Sequence, residues 1–185
     1  GTSPIQWAPA QQHQIEMSLF QILLRLPART LYLALFATAI GLLGFGLYLQ
    51  HVKGLEPCPM CVMQRYVFLA VALIALVGGL HGPARTGSRI YAALIGLGAL
   101  VGGGIAARQT WMQLYPPEIP ECGPGLEFML ESFPLGEALP MIFRGAGDCA
   151  AVDWTFLGLS IANWSLVTFT ATAAFALWML VRREP

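Results

Sequence analysis

Two of the four cysteines stand three residues apart, Cys58 and Cys61 in the stretch PCPMCVMQR, immediately before the apolar run YVFLAVALIALVGGL. A Cys-x-x-Cys spacing at the start of a helix suits redox exchange. The unpaired N–H groups and the helix dipole there favour a thiolate, the species that attacks or leaves. Pro59 fits the first turn, where a missing N–H costs nothing. As a mere staple the pair has little to offer, because closing so small a loop removes little chain entropy. Cys122 and Cys149 form a second, widely spaced pair. Zinc binding would call for a second close pair or for two histidines at finger spacing, and neither is present, so no metal is expected. Haem attachment needs a histidine after Cys61, where Val62 stands. A thioredoxin domain needs βαβ patterning that these flanks lack.

Arg65 follows Cys61 by four residues, which on a helix sets it on the same face one turn further in. A permanent cation entering an apolar segment is a functional candidate by default. The competing role is plain anchoring, with the guanidinium reaching back to the lipid headgroups.

The elements that must position these groups follow from composition. The chain has 185 residues, 56% hydrophobic and 11% charged, against about 25% charged in a soluble domain. A hydrocarbon core of about 30 Å calls for about 20 apolar residues in a helix. Four windows qualify, at about 31–50, 62–80, 90–107 and 155–181, the middle two joined by the polar turn HGPARTGSR into an antiparallel hairpin. The expected fold is an all-α membrane protein, a four-transmembrane-helix bundle. Arg25 and Arg29, Arg85 and Arg89, and Arg182 and Arg183 flank the spans on one side, which the distribution of lysine and arginine assigns to the cytoplasm. Both termini then lie inside, and loops at about 51–61 and 108–154 lie outside. The first apolar run is too long for a cleaved signal and lacks a small-residue exit. Residues 1–16 read as a polar leader, with 17–185 as the single membrane domain. The net charge is zero, and no nucleic-acid partner is expected.

All four cysteines fall in the outer loops. In a bacterial cell that side is oxidising, so an even number of cysteines first suggests two bridges. Of the three possible pairings, spacing favours Cys58 with Cys61 and Cys122 with Cys149; for the second pair a structural staple remains an alternative. In the long loop, Leu126, Met129, Leu130 and Phe133 fall at helical spacing, predicting a short helix on the membrane surface or a small packed cap over the bundle. The glycine and proline content of this loop suits the motion that exchange between sulfurs requires.

Electrons leaving a dithiol need an acceptor, and the chain carries no haem, flavin or nucleotide signature. A lipid-soluble quinone is the natural candidate, with Arg65 placed to stabilise the negative charge that its oxygens gain on reduction.

The motif CPMCVMQR at the second span, QLYPPEIPEC after the third and GDCAAVDWTFLGLSIANW into the fourth resemble the DsbB family, bacterial inner-membrane proteins of disulfide bond formation. The resemblance covers most of the chain from the first span onward. It implies an enzyme that reoxidises DsbA, a soluble periplasmic thiol oxidase, and passes the electrons to ubiquinone or menaquinone. It further implies that Cys122 takes the mixed disulfide with DsbA. Cys149 then attacks Cys58 to make an interloop bridge, which frees Cys61 toward the quinone, and Arg65 matches the arginine of the quinone pocket. One position departs: where some members carry a histidine near the quinone, this chain has Gln109, which can donate a hydrogen bond but cannot shuttle a proton. Its neighbour Arg108 contributes charge or anchors the third span.

Two other classes compete. An enzyme of the vitamin K epoxide reductase type also couples thiols to quinones on four helices, but it usually carries its Cys-x-x-Cys on a late helix. A non-enzymatic membrane scaffold with structural bridges would hold disulfides that resist reduction.

Overall fold

The structure is a computed structural model that describes residues 26–116, 128, 131–134, 136–137, 140, 147–152 and 154–182. Its elements in chain order are α1 (Ala28–His51), α2 (Pro59–His81), α3 (Arg85–Leu114), the short α4 (Gly147–Ala150), β1 (Thr155–Phe156), β2 (Leu159–Ser160) and α5 (Ile161–Val181). Helices α1, α2, α3 and α5 are each long and apolar enough to cross a membrane. The four-helix membrane bundle expected from composition is therefore the architecture.

The helices meet through small residues, as close packing in lipid requires. A Cβ on Gly102 of α3 would lie 2.3 Å from the Phe169 ring of α5. Phe169 in turn stacks on Phe68 of α2, with ring centroids 4.1 Å apart, so three helices lock around one glycine. Similarly, a Cβ on Gly79 would meet Leu33 at 2.7 Å, which brings α2 against α1. Large side chains such as Leu97 and Leu100 point outward, where lipid rather than water would receive them. At the end of the bundle opposite the cysteine motif, the buried Tyr32 hydroxyl donates to the Ser88 carbonyl at 2.7 Å, joining α1 to α3. At that same end the Arg182 guanidinium donates to the Leu26 carbonyl and lies 5.0 Å from the Trp178 ring centroid.

Helix boundaries differ from the apolar windows most in three places. The α2–α3 connection is only Gly82 to Ala84. Gly82 adopts φ +57° to cap α2, and Pro83 follows it. Helix α3 runs for 30 residues, about 45 Å, well past the window at 90–107. Hydropathy ends where Arg108 and Gln109 begin, but the backbone hydrogen bonds continue to Leu114.

The third difference is at the last span, which begins at Ile161 rather than at 155. Thr155 to Ser160 instead form a two-stranded hairpin, Thr155 facing Ser160 and Phe156 facing Leu159. Its two turn residues, Leu157 and Gly158, both have positive φ, 52° and 78°, as a two-residue hairpin loop requires. The apolar character of TFLGL masks that turn in a hydropathy reading. Ser160 then caps α5 by accepting from the Asn163 N–H, and it donates to Gln113 of α3 at 2.6 Å.

The polar leader at 1–16 and most of the expected surface helix, including Leu126, Met129 and Leu130, lie outside the described residues.

Candidate functional site

Cys58 is the N-cap of α2, with Pro59 in the first helical position, and its sulfur accepts the Cys61 N–H at 3.3 Å. One otherwise unpaired helix donor is thereby directed at sulfur. The Cys58 thiol also donates to the Cys61 sulfur at 2.8 Å. Cys61 thus belongs to the first turn of the helix and not to the preceding loop.

Cys149 lies on α4, which packs chiefly on α3 and also on α2. It is fully buried with Cys58, Met60, Ile105 and Met112 in one apolar cluster, against which Cys61 also packs. Hydrogen bonding to Cys149, then to Cys61, and then burial push the Cys58 thiol far above the usual thiol range. Three of the four cysteines therefore meet, although Cys149 is distant in sequence. Cys122 lies outside the described residues.

Gln109, only 2% exposed, projects from α3 onto this group. Its side-chain N–H₂ donates to the Cys58 sulfur at 3.2 Å and to the Cys61 sulfur at 3.1 Å. Its carbonyl end accepts from Gln64 of α2 at 2.7 Å. Arg108, adjacent in sequence, is exposed.

Arg65 is half-buried. Its guanidinium donates to the Gln50 side chain and, at 3.2 Å, to the Gly46 carbonyl, both on α1. It borders a cavity of about 620 Å³ whose wall also includes Cys58, Cys61, Gln64 and Gln109. The remaining lining is mostly apolar and comes chiefly from α1 and the residues that follow it, from the hairpin and the residues before it, and from α5. An aromatic series closes its outer rim: Phe45 of α1 lies 5.8 Å from Trp154, Trp154 stacks 6.1 Å from Phe156, and Phe156 lies 6.1 Å from Trp164 of α5. The volume falls within the range of about 300–1,000 Å³ usual for small-molecule sites.

The sequence reading named Cys58, Cys61 and Arg65 from the motif and Gln109 from the resemblance, and all four line the cavity. It missed Gln64, Gln113 and the aromatic rim. Gln64 had a signal that could have been used, since a polar residue inside an otherwise apolar span usually faces the bundle interior.

A multi-pass four-helix membrane protein with clustered thiols beside an apolar cavity is the class that fold and site define. The family described as "Disulfide bond formation protein DsbB" matches over residues 28–179, and the chain belongs to it. Among its relatives, the "Disulfide bond formation protein B" of Aromatoleum aromaticum is 72% identical over 156 residues, covering 84% of this chain and 94% of the relative. That of an Azoarcus species is 70% identical with the same coverage of both chains. The namesake from Hahella chejuensis is 49% identical over 156 residues, again 84% of this chain and 94% of the relative.

Proposed function

We propose that this protein is a protein-dithiol:quinone oxidoreductase of disulfide bond formation. It reoxidises a periplasmic thioredoxin-fold thiol oxidase of the DsbA type and passes the electrons to a membrane quinone, ubiquinone or menaquinone. The observation that carries this reading is the meeting of three thiols with an apolar cavity edged by an arginine. The names of the relatives point the same way. The arginines Arg29, Arg85, Arg89 and Arg182 sit at the helix ends away from the cysteine motif, which favours the bacterial inner membrane with the thiols on the periplasmic side.

The residues present suit a quinone. A flat ring with an apolar tail matches a mostly apolar wall, and Arg65 is a charged group on that wall that could orient its oxygens. When bound, the quinone supplies a two-electron, two-proton acceptor.

The sulfur chemistry begins when a thiolate of the partner attacks Cys122 of a Cys122–Cys149 disulfide. A mixed disulfide forms and Cys149 leaves as thiolate. Cys149 attacks Cys58 of the Cys58–Cys61 disulfide, making Cys58–Cys149 and releasing Cys61. The partner's second thiolate then takes back its sulfur, leaving as a disulfide and freeing Cys122. Attack of Cys122 on Cys149 restores the outer bridge and frees Cys58. Cys58 and Cys61 re-form their bond by giving up two electrons and two protons at the cavity wall. Arg65 holds positive charge where negative charge develops, in a site with little water to screen it.

The test is direct. Purified protein mixed with a reduced thiol oxidase of this type and a soluble quinone should consume quinone over many turnovers, followed by its ultraviolet absorbance. Cys61→Ser should abolish consumption. Turnover at the parent rate in that variant would end this reading.

A further inference from the structure

The two ends of a glutamine amide have nearly the same shape and opposite chemistry: the N–H₂ end donates, and the carbonyl end repels an electron-rich atom. Which end of Gln109 faces the sulfurs therefore matters, and the hydrogen-bond network assigns it. The Gln109 oxygen is occupied by the Gln64 side-chain N–H at 2.7 Å. The Gln109 nitrogen is left to face Cys58 and Cys61 together, at 3.2 and 3.1 Å. Gln64 and Gln109 are only 3% and 2% exposed, so solvent hardly competes for either amide. Gln64 itself makes no hydrogen bond to sulfur among the described residues.

We propose that Gln64 is a positioning residue which, by holding the Gln109 amide in one orientation, raises the reduction potential of the Cys58–Cys61 pair. A disulfide sulfur is a weak acceptor, whereas a thiol sulfur, and above all a thiolate, accepts well. Donation from Gln109 thus stabilises the reduced pair more than the oxidised pair. A couple whose reduced form is stabilised is the stronger oxidant. Amides do not titrate near neutral pH, so this donation persists where an imidazole would change its charge. The proposal rests on the redox role above for its purpose, but the potential itself can be measured without any quinone or partner oxidase.

The experiment isolates one couple in a Cys122→Ser, Cys149→Ser background and equilibrates the purified full-length protein with glutathione buffers. Two glutathione thiols give up two electrons and two protons to reduce the Cys58–Cys61 disulfide, and glutathione disulfide forms. Mass spectrometry after alkylation reads the reduced fraction. Gln109→Leu should move the equilibrium about tenfold toward the disulfide, about 30 mV to lower potential. Gln64→Leu should move it in the same direction. The double variant should shift no further than Gln109→Leu alone, because Gln64 acts only through its partner. A purely structural role for Gln64 would lower the melting temperature without moving the potential.

Should Gln109→Leu not fold, the Gln64→Leu shift decides by itself. An equilibrium within twofold of the background protein in Gln64→Leu would overturn the proposal, as would a Gln64 effect that persists in full without the Gln109 amide. Loss of quinone reduction in the parent protein would sink the proposed function and leave this equilibrium untouched, so the two failures are distinguishable.

Discussion

Arg65 on α2 reaches across to α1, where its guanidinium donates to both the Gln50 side chain and the Gly46 carbonyl beside the cavity. The planar fork serves two acceptors at once, which a lysine cannot reproduce. Held in this way, Arg65 ties α2 to α1 at the cavity wall.

Replacement of Arg65 by Ala should accordingly raise the quinone concentration for half-maximal rate by about tenfold, the order expected for losing one hydrogen bond to a charged group. Thiol exchange with the partner oxidase should stay near the parent rate. Steady-state assays at varied quinone, set beside single-turnover exchange without quinone, separate the two. Identical quinone dependence in parent and variant would return Arg65 to an anchoring role.

Trp154 joins α1 to the hairpin through its contacts with Phe45 and Phe156. Aromatic pairs contribute about 0.5–1.5 kcal/mol beyond their buried area. Trp154→Ala should therefore weaken quinone binding several-fold while the Cys58–Cys61 potential stays put. Titration of bound quinone measures the first and glutathione equilibration the second.

The reduced protein should show unequal thiols. Cys58 is 8% exposed, and its thiol is held protonated by Cys149, by Cys61 and by burial. With the folded-state value raised, higher pH does not generate thiolate at Cys58 within the usual working range. Its alkylation should stay slow from neutral to mildly alkaline pH. Cys149→Ala removes the leading cause and should speed modification of Cys58, as peptide mapping would read. A Cys58 rate that levels off between neutral and mildly alkaline pH, as for a thiol titrating in that range, would contradict this.

Gly102 has no room for a side chain, because the Phe169 ring sits 2.3 Å from where a Cβ would be. Gly102→Val should cost about 1–3 kcal/mol through forced repacking, seen as a lowered melting temperature in detergent. Pairing it with Phe169→Ala should recover part of the loss. A Gly102→Val protein as stable as its parent would mean that the α3–α5 contact can open freely.

Much of the molecule was legible in the chain itself. Hydropathy is a property of composition, so the existence of four spans could be read without coordinates. The Cys58 to Arg65 segment was equally legible, because N-cap, first-turn proline and the i to i+4 relation are local rules of one helix. The last span was misread at its start because the apolar residues of TFLGL look alike in a helix and in a hairpin, and only the positive φ of Leu157 and Gly158 makes the distinction.

What remained for the tertiary structure was every relation that depends on how helices are rotated and set in depth against one another. The joining of Gln64 to Gln109, the turning of that amide onto two sulfurs, and the burial of Cys149 beside Cys58 all cross between elements far apart in sequence. A small rotation about a helix axis would leave the hydropathy of each span unchanged and carry Gln109 away from the thiols. Close packing at positions such as Gly102 and Phe169 fixes those rotations, and packing of that kind is decided by shape rather than by polarity.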